Sequence, residues 1–270
     1  MPAARSIKLV SLLSVAALLL VGCGPRFRTH RVVEIPTSAP VDVTIKTNNG
    51  DIDIAPHPAG LTGWAQGQIE TGAIDPTAIL VVVELAGNDL DRLESVDVAP
   101  VISDAGELTL EIDWPGGKAG WFERASFSVR VADPMASIDV QSGNGDVIVS
   151  DLDGDAKVRS GNGDLVIRGL TGELIASTGN GDVVLLLADD ADDKLDIRSG
   201  NGDLVIATAS PTTAGFDIRS GNGDILIKHA TGNFTGGFSK KIDAAEGMPT
   251  HTIRTGNGDI VVDVADSDDG

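Results

Sequence analysis

Ser142-Gly143-Asn144-Gly145-Asp146 decides how this chain is built, because the same five-residue phrase keeps returning. It recurs as Ser160-Gly161-Asn162-Gly163-Asp164, Thr178-Gly179-Asn180-Gly181-Asp182, Ser199-Gly200-Asn201-Gly202-Asp203, Ser220-Gly221-Asn222-Gly223-Asp224 and Thr255-Gly256-Asn257-Gly258-Asp259. A degenerate copy, Thr47-Asn48-Asn49-Gly50-Asp51, stands ahead of them. From Asn to Asn the six full copies lie 18, 18, 21, 21 and 35 residues apart. A fixed signature at a period of about twenty residues marks a solenoid and outranks any local reading.

The residues around the phrase say what one repeat looks like. Four and two residues before each Ser or Thr stand Ile138/Val140, Ala156/Val158, Leu174/Ala176, Leu195/Ile197, Phe216/Ile218 and, more loosely, His251/Ile253. Three apolar residues follow each Asp, as in Val147-Ile148-Val149 and Leu165-Val166-Ile167. The alternation reads as strand, glycine turn, strand. Gly154-Asp155 and Gly172-Glu173 echo the phrase midway between full copies, so a second, looser corner is expected there and at 188–193 and 209–215. One such rung buries too few aliphatics to offset the ordering of its backbone, and only stacking on its neighbours makes it stable. The expected fold is therefore all-β, a β-solenoid of six or seven rungs, regular over 136–264.

Val41 to Ile54 fits one more rung. Residues 55–135 break the pattern and hold all three tryptophans. Strands are predicted near Ile79–Leu85, Val96–Ile102, Leu108–Trp114 and Ala125–Val131, with a helical turn around Asp89–Glu94 and a hairpin at Asp104-Ala105-Gly106. With the first rung, residues 41–135 read as a β-rich N-terminal cap over an otherwise open strand edge. Residues 265–270 form an acidic tail.

Composition agrees with a narrow aliphatic interior: aromatics are 3% of the chain, Tyr is absent, and Gly numbers 33. With 40 Asp+Glu against 20 Lys+Arg the chain lacks the positive footprint that nucleic acid requires. Residues 1–22 read as a secretory leader: Arg5 and Lys8 precede an apolar run, Leu9 to Val21, too short for a spanning helix. The run ends in Leu20-Val21-Gly22-Cys23, which resembles the bacterial lipobox. Cys23 is the only cysteine, so no disulfide within the chain is possible and lipidation of its thiol is the expected use. Cleavage would leave 18 Lys+Arg against 40 Asp+Glu. Gly24 rather than Asp after the cysteine implies, by the same resemblance, sorting to an outer membrane. Residues 23–40, with Arg26, Arg28, His30 and Arg31 among three prolines, read as an extended tether whose basic cluster rests near anionic head groups.

The phrase itself has a structural warrant. Glycine and asparagine suit corners, and stacked Asn and Ser side chains can form ladders. The Asp column, Asp146, Asp164, Asp182, Asp203 and Asp224, would set like charges about 4.8 Å apart. Compensation can come from turn N–H groups, from the stripe Gln141, Arg159, Ser177, Arg198, Arg219 and Arg254, or from Ca²⁺. The last is the weakest, since the nine-residue half-period resembles the RTX calcium β-roll without reproducing its Gly-Gly-x-Gly-x-Asp order. The four histidines are scattered, and Gly-Asn-Gly-Asp is no nucleotide loop. No catalytic constellation emerges. Two stripes remain as a candidate binding face: Arg159, Arg198, Arg219 and Arg254, and the middle apolar column Ile148, Val166, Val184, Val205, Leu226 and Val261.

The order Ser126 to Val131, Asp133-Pro134, Ile138 through Val147, Gly154-Asp155 and then the next Ser-Gly-Asn-Gly-Asp resembles the bacterial putative-adhesin family, a domain of unknown function, over roughly Val41 to Val264. The resemblance implies a β-solenoid at the cell surface and transfers no catalytic or ligand residue. The expected function is a non-enzymatic, lipid-anchored envelope protein that holds a protein or glycan partner on its repeat faces. A calcium-stabilised solenoid and a polysaccharide-active enzyme are the alternatives.

Overall fold

The computed structural model describes residues 8–10, 16–17, 25–35, 42–56, 78–103, 107–117, 119–120, 122–131, 137–187, 193–208, 212, 214–228 and 233–265. Cys23, the hairpin tip at 104–106 and the tail from 266 lie outside them.

Two strands meet at every Gly-Asn-Gly-Asp corner. The pairs are β4 (Asp42–Asn49) with β5 (Ile52–Pro56), β10 (Ser137–Asn144) with β11 (Val147–Ser150), β12 (Asp155–Asn162) with β13 (Leu165–Arg168), and β14 (Leu174–Asn180) with β15 (Val183–Leu187). Next come β16 (Leu195–Asn201) with β17 (Leu204–Thr208), β18 (Gly215–Asn222) with β19 (Ile225–Lys228), and β22 (Thr250–Asn257) with β23 (Ile260–Val264). The first strand of each pair joins one sheet and the second joins another, and like strands stack in parallel. Alternate residues turn inward: Ile138, Val140 and Ser142 from one side meet Val147 and Val149 from the other. Repeated rung by rung, these positions form a continuous aliphatic core between the two sheets.

Both sheets widen at the N-terminal end. There β3 (Phe27–Ile35), β6 (Ile79–Gly87) and β9 (Arg124–Val131) pair antiparallel and extend the β5 side. The hairpin β7 (Asp97–Ile102) with β8 (Glu107–Asp113) extends the β4 side. A single short helix among the described residues, α1 (Leu90–Glu94), starts where the Asp89 carboxylate accepts from the Arg92 N–H at 3.1 Å.

Two expectations are corrected. Residues 27–35 are not tether: they form a nine-residue strand in which Val32 to Ile35 are all buried. Its basic residues serve the fold, since Arg28 and His30 face Glu84 and the Arg31 guanidinium donates to Thr29 Oγ1 and to the Glu94 carbonyl. Nor does the stretch read as a leader lie wholly outside the fold, because β1 (Lys8–Val10) and β2 (Ala16–Ala17) pair antiparallel with β3. An apolar run next to an unpaired strand edge satisfies that edge's N–H and C=O groups.

The order of the rungs is a finding of its own. Rungs do not stack in the sequence in which they are made: β22 lies between β16 and β18, and β23 between β17 and β19. The 35-residue step in the repeat is the excursion that makes this possible. After β19 the chain forms β20 (Phe234–Thr235) and β21 (Ser239–Ile242), which close the far end antiparallel to β19 and β18. It then crosses back over Gly215, where a Cβ would lie 2.6 Å from the Ala244 nitrogen, and the final rung enters between its neighbours.

Candidate functional site

Every residue of the repeated phrase contacts the rung beside it. Asn144 donates through Nδ2 to Asn49 Oδ1 at 2.9 Å, Asn162 to Asn144, Asn180 to Asn162 and Asn201 to Asn180 each at 2.7 Å. The ladder continues through Asn257 to Asn201 and Asn222 to Asn257. The Ser and Thr hydroxyls are buried and donate to carbonyls of the adjacent corner, as Ser160 does to Gly145 and Thr255 to Gly202, both at 3.0 Å. Glycine is required for a steric reason: a Cβ on Gly163 would stand 2.2 Å from the Gly145 carbonyl oxygen.

The Asp column is compensated by the backbone. Asp51, Asp146, Asp164, Asp182, Asp203 and Asp259 each accept, through Oδ1, the N–H of the Asp in the next rung, at 2.8–3.1 Å. At the capped end Ser126 Oγ takes the same part, accepting from the Asp51 N–H at 3.1 Å. The half-repeat works alike, since Asp155 Oδ1 accepts from the Glu173 N–H at 3.0 Å. Among the described residues no group of three or more His, Cys, Asp or Glu side chains converges as a metal site.

The two stripes do not share a face. The arginine stripe lies outside the β10–β22 sheet and the apolar column outside the β11–β23 sheet, with the core between them. In space the arginine stripe runs Gln141, Arg159, Ser177, Arg198, Arg254, Arg219. The partners of Arg198, Arg219 and Arg254 are not the corner carboxylates but Asp196 and Asp217, each two positions before an arginine of its own strand. Arg198 grips Asp196 with two bonds at 2.9 and 2.7 Å, and Arg219 and Arg254 converge on Asp217 at 3.2 and 3.6 Å. The signal stood in the sequence as Asp-Ile-Arg at 196–198 and 217–219, because residues two apart on a strand share a face. Exposed pairs of this kind add about 0–1 kcal/mol each.

The apolar column is continuous across six rungs, in the order Ile148, Val166, Val184, Val205, Val261, Leu226. Ile148 is 40% exposed and Val205 37%; the other four are half-buried. Leu186, 40% exposed two residues after Val184, broadens the stripe and was not singled out in the sequence because Arg168 and Lys228 occupy its column in other rungs. Asp53 ends the stripe at the capped side, where Arg130 pairs with it at 2.5 Å. Outside the other sheet a groove of about 360 Å³ opens where Asp42, Glu107, Asp139, Asp155 and Glu173 gather, and Lys157 meets Asp139 there at 3.0 Å.

Among solved structures the chain is similar to a putative cell adhesion protein from Clostridium sporogenes, at 14% identity and a TM-score of 0.45, covering 88% of this chain and 99% of that one. A putative adhesin from Bacteroides fragilis gives 14% identity and a TM-score of 0.45, with 89% and 100% covered. One from Parabacteroides merdae gives 10% and 0.32, with 88% and 96% covered. No curated protein matches the chain. The family model described as Toastrack DUF4097 matches residues 17–263, nearly the whole chain, and the chain belongs to that family.

Proposed function

We propose that this protein is a non-enzymatic, lipid-anchored component of the bacterial cell envelope that holds a protein or glycan partner against its solenoid face in an adhesin-like role. The observation that carries the reading is the outward apolar column of the β11–β23 sheet, exposed at Ile148 and Val205 and half-buried elsewhere, kept in register over six rungs where a solvated sheet face ordinarily alternates to polar residues. A flat, rigid, repeated surface of this type recognises extended partners through area rather than through a pocket.

The anchor would be Cys23, four residues before β3, which lies at the capped end of its sheet. From β3 to β20 the sheet advances ten strand steps, or about 48 Å at the usual spacing. The membrane end and the far end of the stack are thus well separated, and the stripe runs between them. Outer-membrane sorting follows from Gly24 on the same reading.

The test is display and adhesion of whole cells carrying wild type, Val184→Asp/Val205→Asp or Cys23→Ala. The aspartate pair should keep surface display and lose adhesion to coated protein and glycan surfaces, while Cys23→Ala should move the protein from the membrane to the soluble fraction. Unchanged adhesion by the aspartate pair at equal display defeats the face; membrane retention of Cys23→Ala defeats the anchor.

A further inference from the structure

Among the described residues the two sheets have four ends, and three of them carry a device that keeps a further strand off. At the capped end of the β4 side, β7 places Pro100 in the edge strand. At the far end of that sheet β21 is four residues long and carries Lys240 and Lys241. The far end of the β5 side is β20, two residues long and followed by Gly236 and Gly237, both at positive φ. Short strands, proline and lysine are the usual means of blunting an edge.

The fourth end, at β3, is different. This strand is nine residues long, contains no proline and pairs with β6 along its whole length. Among the described residues its other edge meets β1 and β2 alone. Both lie within residues 1–22, the stretch that reads as a leader. On the anchor reading of Cys23 that stretch is removed, and the edge loses both strands at once. The chain that remains is too short to fold back over it. Only Cys23, Gly24 and Pro25 then precede Arg26, whose N–H is already held by the Gly87 carbonyl at 3.0 Å and by Asn88 Oδ1 at 3.1 Å.

The register of the two short strands shows what the edge accepts. Lys8 is opposite Glu34, Leu9 opposite Val33 and Val10 opposite Val32, all antiparallel. Ala16 and Ala17 are opposite Arg28 and Phe27. A lysine is thus in register with the one acidic residue of β3, and two aliphatic residues with its two valines. Opposite charges and apolar pairs at such positions stabilise an antiparallel pairing, and like charges there destabilise it. A second copy of β3 meets these terms poorly, since setting Arg28 opposite Glu34 also sets Arg31 opposite Arg31 and Thr29 opposite Val33.

We propose that maturation opens the outer edge of β3 as a strand-accepting site. Its occupant is an extended segment of a second envelope protein, antiparallel to β3, with a lysine or arginine opposite Glu34 and aliphatic residues opposite Val33 and Val32. The main chain of such a segment continues the hydrogen bonds of the sheet, and its alternate side chains select it. The inference rests on the anchor reading, because a retained leader keeps the edge filled. It gives the molecule a second binding site, apart from the apolar column and close to the membrane end, where a neighbour held in the same membrane comes within reach.

The test uses the processed protein, purified from membranes, with residues 5–17 of the leader as a labelled synthetic peptide. Intact mass first reports whether residues 1–22 are gone; a chain that keeps them defeats the anchor reading and this inference together. With the leader gone, the peptide should bind saturably, and hydrogen exchange should show new protection within 27–35 while 195–208 stay unchanged. A peptide carrying Lys8→Glu should bind about fivefold more weakly or worse, since an attractive cross-strand pair becomes a repulsive one. Glu34→Lys in the protein should reverse that preference; should this variant not fold, the exchange pattern of the wild type decides. No saturable binding, new protection outside β3, or equal affinity of the wild type for the two peptides overturns the inference and leaves the anchor standing. Full protection of 27–35 before any peptide is added means that the edge is already taken, by a second copy if the protein sediments as a dimer, and overturns it as well.

Discussion

At the corner between β12 and β13, Ser160, Gly161, Asn162, Gly163 and Asp164 all touch the rung before, through hydrogen bonds of 2.7–3.1 Å and through glycines pressed against carbonyls. At the opposite corner the chain has much more latitude. The link is Asp151 to Gly154 in one rung and Gly169 to Glu173 in the next. It then lengthens to residues 188–194 and 209–214, and finally to an excursion over 229–249 that carries two strands of its own. The two corners do the same geometric task, and only the first repeats its contacts in every rung; the second makes them between 151–155 and 168–173. In a side-chain pattern of period two, fixing one point per rung is enough to fix every inward residue. That division lets the second corner lengthen by three residues, and even lets the last rung enter out of order, while every Asn still faces an Asn.

The sharpest way to break this contrast is to add one methyl at the strict corner. Gly163→Ala would set a Cβ 2.2 Å from a carbonyl oxygen that belongs to a packed neighbour. We expect a loss on the order of 3 kcal/mol or more by chemical denaturation. Gly247→Ala, with open space around it, should cost only the left-handed backbone penalty of about 1–2 kcal/mol. Equal losses would remove the distinction.

Next in size is the ladder itself. Asn180→Ala deletes its bond to Asn162 and the bond it receives from Asn201, both 2.7 Å, and should cost about 1–2 kcal/mol. Asp182→Asn keeps the Oδ1 acceptor for the Asp203 N–H and removes one like charge from the column. It should be neutral or slightly stabilising at low salt, with the difference vanishing as salt screens the column. A large loss for Asp182→Asn would show that its charge is needed.

A three-residue insertion within 188–194, a link already longer than 151–154, should cost under about 1 kcal/mol, since lengthening a closed loop changes its entropy slowly. The same insertion between Gly161 and Gly163 should prevent folding. The smallest expected effect lies at the far end. The Asp243 hydrogen bond, and then its charge, raise the pKa of Lys241 above the usual lysine value. The folded value exceeds the unfolded one, so the contribution is complete below the ordinary lysine pKa and is lost as pH rises through the raised value. Asp243→Asn should therefore flatten the alkaline limb of a melting-temperature profile and leave neutral pH nearly unchanged; identical limbs would discard the pair.

The repeated corner and the inward columns were legible in the sequence because both are local and periodic: Gly143 to Asp146 and Ile138/Val140 announce themselves at fixed spacing. The order of the rungs was not. Thr255 to Asp259 carries the same phrase as Ser220 to Asp224, so either could stack on Ser199 to Asp203, and nothing local distinguishes them. What selects the observed order is non-local: β20 and β21 occupy the outer edges of β19 and β18, leaving the inner edges to the last rung. The place of Phe27–Ile35 in the sheet was hidden for a similar reason, because its arginines read as tether until Glu84 and the Glu94 carbonyl supply their partners. The split of the two stripes onto opposite sheets follows from the corner between them, which turns the chain from one sheet into the other.

Because each rung repeats the outline of the one beneath it, length and cross-section are independent variables in this molecule. Duplicating one 18-residue unit such as 155–172 would raise the far end by a single strand spacing, about 4.8 Å, without redrawing the interior or either face. Reach can therefore change during evolution in equal increments, a ruler graduated by one hydrogen-bonded step.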